Sequence, residues 1–347
     1  ASVTPATGAT GVEWFSDYLC TTSLGGNGTY NGTTTTSAMI YAKSTNGGSY
    51  SADPKQVYVF KPQIPTTSYT TSYNGVGVDV SVVIDTIIDS LTIIVLEDAT
   101  IDESSPNTNF DNNFLNIIPS SYHSNTAQFL TKYDLSVLPS FVSPFYSESS
   151  FMAYSGFAHG LSGWVQQNQL INDSWNETTI TDNTSPLSTT NNVGSWFVWY
   201  GNPSFSVAHG GSATMGISDE GNKPLSNTSP LLNQFVNSEY TGDQTMSLYH
   251  SCEGYDSRYY AKDYKTDVDL LPQLKINFSY NQAATCLYSW TGPGGFTATT
   301  QNIAGITVAG TYTVDIIDTV DNSNPNCSHQ QSFILPAPGV NPTVTLN

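Results

Sequence analysis

Thr311-Tyr312-Thr313-Val314-Asp315-Ile316-Ile317 sets small or polar residues against large apolar ones, the period-two pattern of a half-buried β-strand. Working outward, similar strand-like runs occur at Val57-Tyr58-Val59-Phe60, Val80 to Ile84, Leu91 to Leu96, Phe197 to Tyr200, Leu274 to Phe278 and Ser332 to Leu335. Gly, Pro, Asn and Asp bound these runs, as tight turns require. Helical periodicity is nearly absent. Only Pro230-Leu231-Leu232-Asn233-Gln234-Phe235-Val236 predicts a short helix. The fold class that follows is all-β, built from sandwiches.

The chain has 347 residues, enough for two or three domains. Lys plus Arg is 9 against 28 Asp plus Glu, a net charge of −19. No basic stripe exists to neutralise phosphates, which excludes a nucleic-acid binder and charge-driven attachment to an anionic membrane. Val78 to Leu96 is the longest apolar-leaning run, and Asp79, Asp85 and Asp89 break it, so no inserted helix is expected. The opening Ala1-Ser2-Val3-Thr4-Pro5 reads as the start of a processed chain or of a segment of a longer one. Low Lys with abundant Thr, Asn and Tyr suits a secreted, extracellular or cell-surface protein. Asn-x-Ser/Thr sites for glycosylation start at Asn27, Asn31, Asn172, Asn176, Asn183, Asn227, Asn277 and Asn326.

Several stretches resemble known families. Val12-Glu13-Trp14-Phe15-Ser16-Asp17, followed by Ser37 to Ala42, resembles small immunoglobulin-like modules of bacteroidete surface proteins. That resemblance implies a sandwich over 1–62 with Trp14 in its core, here lacking its first strand. Ala99 to Asp102, Ser105 to Phe110, Phe129 to Ser136, Trp175-Asn176-Glu177 with Thr181 to Pro186, Tyr259 to Asp263 and Pro272 to Ile276 fall in the order of a disaggregatase-related repeat domain. This likeness implies a jelly-roll-like sandwich over 93–280, related to carbohydrate-binding modules. Tyr288-Ser289-Trp290-Thr291-Gly292-Pro293 followed by Gly310 to Val314 is similar to repeat modules of bacteroidete adhesins, implying a second immunoglobulin-like sandwich over 281–338 with Trp290 at its core. The architecture expected is a jelly-roll-like sandwich between two small immunoglobulin-like sandwiches. Residues 63–92 are left as a β-rich connector of unknown role, able to add strands to a neighbour. Asp85-Thr86-Ile87, Asp89-Ser90-Leu91 and Asp318-Thr319-Val320 resemble the bacteroidete O-glycosylation signal at Thr86, Ser90 and Thr319.

Cys286 and Cys327 flank one segment and are expected to form a disulfide. Cys20 and Cys252 are far apart, and either bridge domains or stay free and buried. Residues 339–347 read as linker and strand, with Thr343-Val344-Thr345-Leu346 alternating polar and apolar. The tail supplies the kind of strand that the first module lacks. Added to another copy's first module, in an acceptor lined by Val3, Val12 and Trp14, it would join subunits head to tail into an open-ended homopolymer.

Catalytic signals are weak. His209-Gly210-Gly211-Ser212 has no accompanying nucleophile elbow, and no Cys/His spacing suggests zinc. No enzymatic activity and no cofactor is expected, apart from a structural calcium for which Asp102 and Asp111 are the candidate ligands. Trp196, Trp199 and Tyr200 are candidates for an exposed aromatic platform that stacks on neutral glycans, since −19 repels polyanionic sugars. The expected function is a structural subunit of an extracellular filament or surface appendage. The alternative is a secreted carbohydrate-binding or adhesin array that does not polymerise.

Overall fold

The computed structural model describes residues 3–26, 28–30, 36–51, 53–61, 67–110, 114–118, 126–154, 164–170, 172–186, 205–208, 223–227, 230–253, 257–264, 267–319 and 328–336. The protein is all-β, with several antiparallel sheets. It divides into two units, each assembled from separated stretches of chain. Ala1–Gly32, Met39–Tyr58 and Ser90–Phe278 form the first, and Thr33–Ala38, Val59–Asp89 and Ser279–Asn347 the second.

The first unit opens with β1 (Gly11–Phe15), β2 (Ser23–Gly26), β3 (Ala38–Asn46), β4 (Ser49–Tyr50) and β5 (Lys55–Val59). They make one sheet in the order β2-β1-β3-β4, with β5 also paired to β3. Val12 and Trp14 of β1 and Ile40 and Ala42 of β3 are buried, the alternation expected of a sheet with one covered face. Among the described residues, then, 1–62 contributes one sheet and not the predicted free-standing sandwich. This sheet is tied into the same unit as the later chain. The Gln56 side-chain amide donates to the Ile94 carbonyl (2.6 Å) and accepts from the Ile94 N–H (2.8 Å), taking the place of a neighbouring strand's peptide. Tyr58 meets Phe278 edge-on, ring centroids 6.0 Å apart.

The chain continues through β6 (Thr67–Tyr73) and β7 (Val78–Ile84), which belong to the second unit, and then enters the large body of the first. That body contains β8 (Thr86–Ile94), β9 (Glu97–Asp102), β10 (Phe114–Ile117), β11 (Ala127–Asp134), β12 (Ser143–Tyr154), β13 (Trp164–Leu170), β14 (Phe205–Ala208), β15 (Lys223–Asn227), α1 (Pro230–Thr241), β16 (Thr245–Glu253), β17 (Ser257–Tyr260) and β18 (Gln273–Asn281). One sheet runs β10-β17-β12-β18-β8 with β15 on β12; the other runs β14-β13-β16-β11-β9. Phe129 of β11 packs on Tyr259 of β17 at 5.5 Å, joining the two layers. Trp175 is buried against Ala99, Ile101, Leu130, Leu170 and Ile180, and its indole N–H donates to Ser247 Oγ (3.0 Å). Helix α1 buries Leu232, Phe235, Val236 and Tyr240, an i, i+3, i+4, i+8 stripe.

The second unit is completed by α2 (Gln282–Thr285), β19 (Cys286–Gly292), β20 (Phe296–Ala298), β21 (Ile303–Ile306), β22 (Gly310–Asp318) and β23 (Ser328–Leu335). Its sheets are β20-β19-β22-β23 and β21-β7-β6. Val80, Val82 and Ile84 of β7 share one core with Tyr288, Trp290, Ile303, Tyr312, Val314, Ile316, Phe333 and Leu335. Among the described residues this is a seven-stranded sandwich, with Trp290 buried on the third strand and Tyr312 near the start of the sixth, its hydroxyl donating back to the Val308 carbonyl (2.8 Å). Within the predicted 63–92 segment, β6 and β7 add two strands to the sandwich predicted over 281–338, while β8 pairs with β18, and the body from Ser90 to Phe278 lies in the chain between β7 and β19.

The expected Cys286–Cys327 disulfide is not borne out: Cys286 is a free thiol, and Cys327 lies outside the described residues. Cys286 on β19 is the Cα partner of Asp318 on β22. Burial, with help from Asp318, pushes the Cys286 thiol up to about 12.

Candidate functional site

In the second unit β6 and β23 lie side by side, and among the described residues each ends its sheet. Tyr69 of β6 sits 5.6 Å from Phe333 of β23, and the Thr67 hydroxyl approaches Gln331 Oε1 (3.5 Å). Strand β6 forms because its β-branched and aromatic residues pair in unbroken register with β7, Thr67 with Ile84 through Tyr73 with Val78. The Asn74 carboxamide oxygen shapes the turn by accepting from the N–H groups of Val76 and Gly77. Thr67, Tyr69, Thr71 and Tyr73 share the side of the pleat that faces the core, yet Tyr69 is 41% and Tyr73 73% exposed. All but the first of the seven residues are exposed, and none is charged. Seven residues extend about 23 Å and present one rail of unpaired peptide groups.

The acceptor predicted in the first module is not open in this way. Val12 and Trp14 are already buried (2% and 1% exposed), so no incoming side chain can rest on them, and Val3 is only half-exposed. The edge strand there, β2, is four residues long and carries a register shift opposite Trp14 and Phe15. The donor residues Thr343, Val344, Thr345 and Leu346 lie outside the described residues, as do Trp196, Trp199 and Tyr200.

Of the calcium candidates, Asp111 lies outside the described residues. Asp102 Oδ1 accepts from the Ser104 N–H and hydroxyl, a turn function. Among the glycosylation candidates, Asn27, Asn31 and Asn326 lie outside the description. Asn172 and Asn176 are in loops and Asn183 is in the 3-10 turn Asp182–Thr184, and the Asn176 amide donates to Glu97 Oε1 (3.2 Å) while its oxygen accepts from Thr178. Asn227 is on β15 and Asn277 on β18; Thr86 and Ser90 are exposed on β8, and Thr319 donates to the Thr285 carbonyl (2.6 Å).

Two charged clusters went unread in the sequence. In the first, Lys262 is 1% exposed. Its ammonium contacts Glu177 Oε1, Asp53 Oδ2 (3.0 Å) and the Leu96 carbonyl (3.2 Å). The Asp98 N–H donates to Glu177 Oε2 (3.1 Å), and the Lys262 N–H donates to Asp98 Oδ2 (2.7 Å). Nearby, the Lys132 ammonium pairs with Glu97 (2.6 Å) over the face of Trp175. In the second, carboxylate oxygens of Asp173, Glu239 and Asp243 lie within 4.8 Å of one another. Burial and then Asp173 and Asp243 push Glu239 up to about 7; Asp173 rises to about 6, chiefly through burial. Three such oxygens match the ligand chemistry of a hard divalent cation. The i, i+4 spacing of Glu239 and Asp243 was the available sequence signal.

No family model matches this chain, and no curated protein matches it. Among the described residues, no helix is long and apolar enough to cross a membrane.

Proposed function

We infer that this chain is a structural building block of an extracellular filament or surface appendage, joined to its neighbours by β-strand addition. One observation carries the reading: β6 is a seven-residue, uncharged edge strand, exposed along nearly its whole length beside a second edge, β23. Edges of that length are normally blunted by charge, proline or a bulge, and β6 has none of these. An added strand gains main-chain hydrogen bonds worth about 0.5–1.5 kcal/mol each, and exposed Tyr69 and Tyr73 give it apolar surface to cover. The alternating Thr343-Val344-Thr345-Leu346 segment has the pattern of a donor. The acceptor is thus assigned to the second unit and not to Val12 and Trp14. Negative-stain electron microscopy and sedimentation of the purified chain test the proposal. Thr70→Lys with Ser72→Lys, on the face of β6 turned away from the core, is expected to abolish assembly while leaving the circular dichroism unchanged. Wild-type protein that stays monomeric at high concentration, or filaments that survive both substitutions, would refute it.

A further inference from the structure

Lys262, Glu177 and Asp98 are 1%, 8% and 2% exposed, in a unit held together by three chain segments that converge there. Glu177 is held from both ends. Its backbone carbonyl accepts from Asn109 Nδ2 (2.5 Å), its Oε2 accepts from the Asp98 N–H, and its Oε1 touches the Lys262 ammonium. Asp98 is the hub. Its backbone N–H reaches Glu177 while its carboxylate takes the backbone N–H of Lys262. The Lys262 ammonium and the Glu177 carboxylate are therefore in direct contact inside the fold, and an intramolecular reaction gains from such proximity. The charge balance favours reaction too. The Lys262 ammonium pairs with the nearly dry Glu177 carboxylate and with the more exposed Asp53, and a buried ion pair carries a large desolvation penalty. Condensing one carboxylate with the ammonium removes both charges from the interior.

We propose that Lys262 and Glu177 form an intramolecular isopeptide bond, the Lys262 Nζ joined to the Glu177 side-chain carbonyl carbon, with Asp98 carrying protons between them. The chemistry closes on itself. A proton passes from the ammonium to the Glu177 carboxylate inside the pair, leaving a neutral amine and a neutral acid. Nζ attacks Cδ of Glu177, and Asp98 takes a proton from nitrogen and gives one to the departing Glu177 oxygen. The Cδ–Oε1 bond breaks, water leaves, and Asp98 ends as it began. Ammonium plus carboxylate becomes amide plus water, with no oxidant, cofactor or external base. Burial holds the Asp98 carboxyl well above the usual carboxylate range, which favours its neutral form. Burial pulls the Lys262 ammonium down, but Glu177 and Asp53 outweigh it, which is why the first proton transfer must occur within the pair. Lys132 is a built-in contrast: its partner Glu97 is more exposed (19%) and no buried acid bridges the two.

Intact-mass spectrometry of the unfolded full chain decides the matter. The expected mass is lower than the sequence mass by one water, about 18 Da. A proteolytic digest is expected to contain a branched peptide joining Glu177 to Lys262. Lys262→Arg keeps the charge but cannot form the bond, and is expected to return the full sequence mass, as is Glu177→Ala. Asp98→Asn leaves both reacting groups in place, and most of that variant is expected to be unbonded. Folded wild-type protein at full sequence mass, with Glu177 and Lys262 in separate linear peptides, overturns the proposal even if every variant fails to fold. Complete bonding in Asp98→Asn overturns the role given to Asp98.

Discussion

Gly292→Ala is the sharpest single test of how the second unit is packed. Gly292 ends β19 with φ −170° and ψ −176°, extended backbone that any residue adopts, so the substitution costs nothing in backbone conformation. The obstacle is Tyr312. A Cβ on Gly292 would lie 2.4 Å from Tyr312 Cδ1, 2.6 Å from Cε1 and 3.2 Å from Cγ. Carbon atoms normally rest about 3.5–4.0 Å apart, so the ring or the strand must retreat by about 1 Å. The ring has nowhere to go: it stacks on Phe333 (5.3 Å, 13°), meets Phe296 edge-on (5.3 Å) and is pinned by its hydroxyl to the Val308 carbonyl. Overpacking of this kind costs about 1–3 kcal/mol, and a ring shift that also breaks the hydroxyl contact adds about 1 kcal/mol. The expected total is about 3 kcal/mol, read by urea unfolding with hydrogen exchange of β22 and β23 amides as the local probe. Gly292→Ala combined with Tyr312→Leu should cost less than the two single changes added together, because the second makes room for the first. A loss below about 0.5 kcal/mol for Gly292→Ala, or strict additivity in the pair, would refute the packing described.

Other outcomes follow from the same structure. Val82→Ala removes two methyl groups from a buried site and should destabilise by about 2 kcal/mol; lost protection should appear in β19 and β22, more than 200 positions along the chain, and confinement to β7 would contradict the shared core. His250 is buried beside Phe129, bonded to Thr131 Oγ1 (3.1 Å), and burial lowers it to about 3. The unfolded chain takes up that proton near pH 6.5 and the native state only near 3, so this stabilisation is complete above 6.5 and declines as pH falls between them. At about 1.4 kcal/mol per pH unit the loss reaches about 5 kcal/mol, and His250→Leu should flatten that part of the pH–stability curve. Glu239 has the opposite sign. Its folded value, about 7, exceeds the unfolded one, so its contribution is greatest at low pH and declines as pH rises through 7. Glu239→Gln should therefore raise the melting temperature at pH 8 relative to wild type and leave it unchanged at pH 4.

Much of this architecture was legible in the residues, and the parts that were not have a common cause. Alternation marked β7, β18, β22 and β23 as strands, because a half-buried strand writes its own period. Trp14 and Trp290 read as core residues and are buried, and α1 follows from its apolar stripe. What the pattern of residues 63–92 could not disclose was a partner: Val80 finds Ile303 across an entire inserted body, and periodicity says that a strand exists without saying where its neighbour lies. The same limit hid the Lys262 cluster. Lysine is normally exposed, and its burial here follows from three segments that meet only in the folded chain.

The account rests on β7 being a strand of the C-terminal sandwich, which in turn leaves β6 as its open margin. Val80 and Ile303 are Cα partners on β7 and β21. Paired antiparallel positions bring Cα atoms to about 4.5–5.5 Å, within disulfide range. Val80→Cys with Ile303→Cys, in full-length protein whose native cysteines are serine, should oxidise in the folded state to a single bridge joining those two peptides in a mass-spectrometric map. Two free thiols after mild oxidation of folded protein would mean that residues 67–84 are not part of that sandwich.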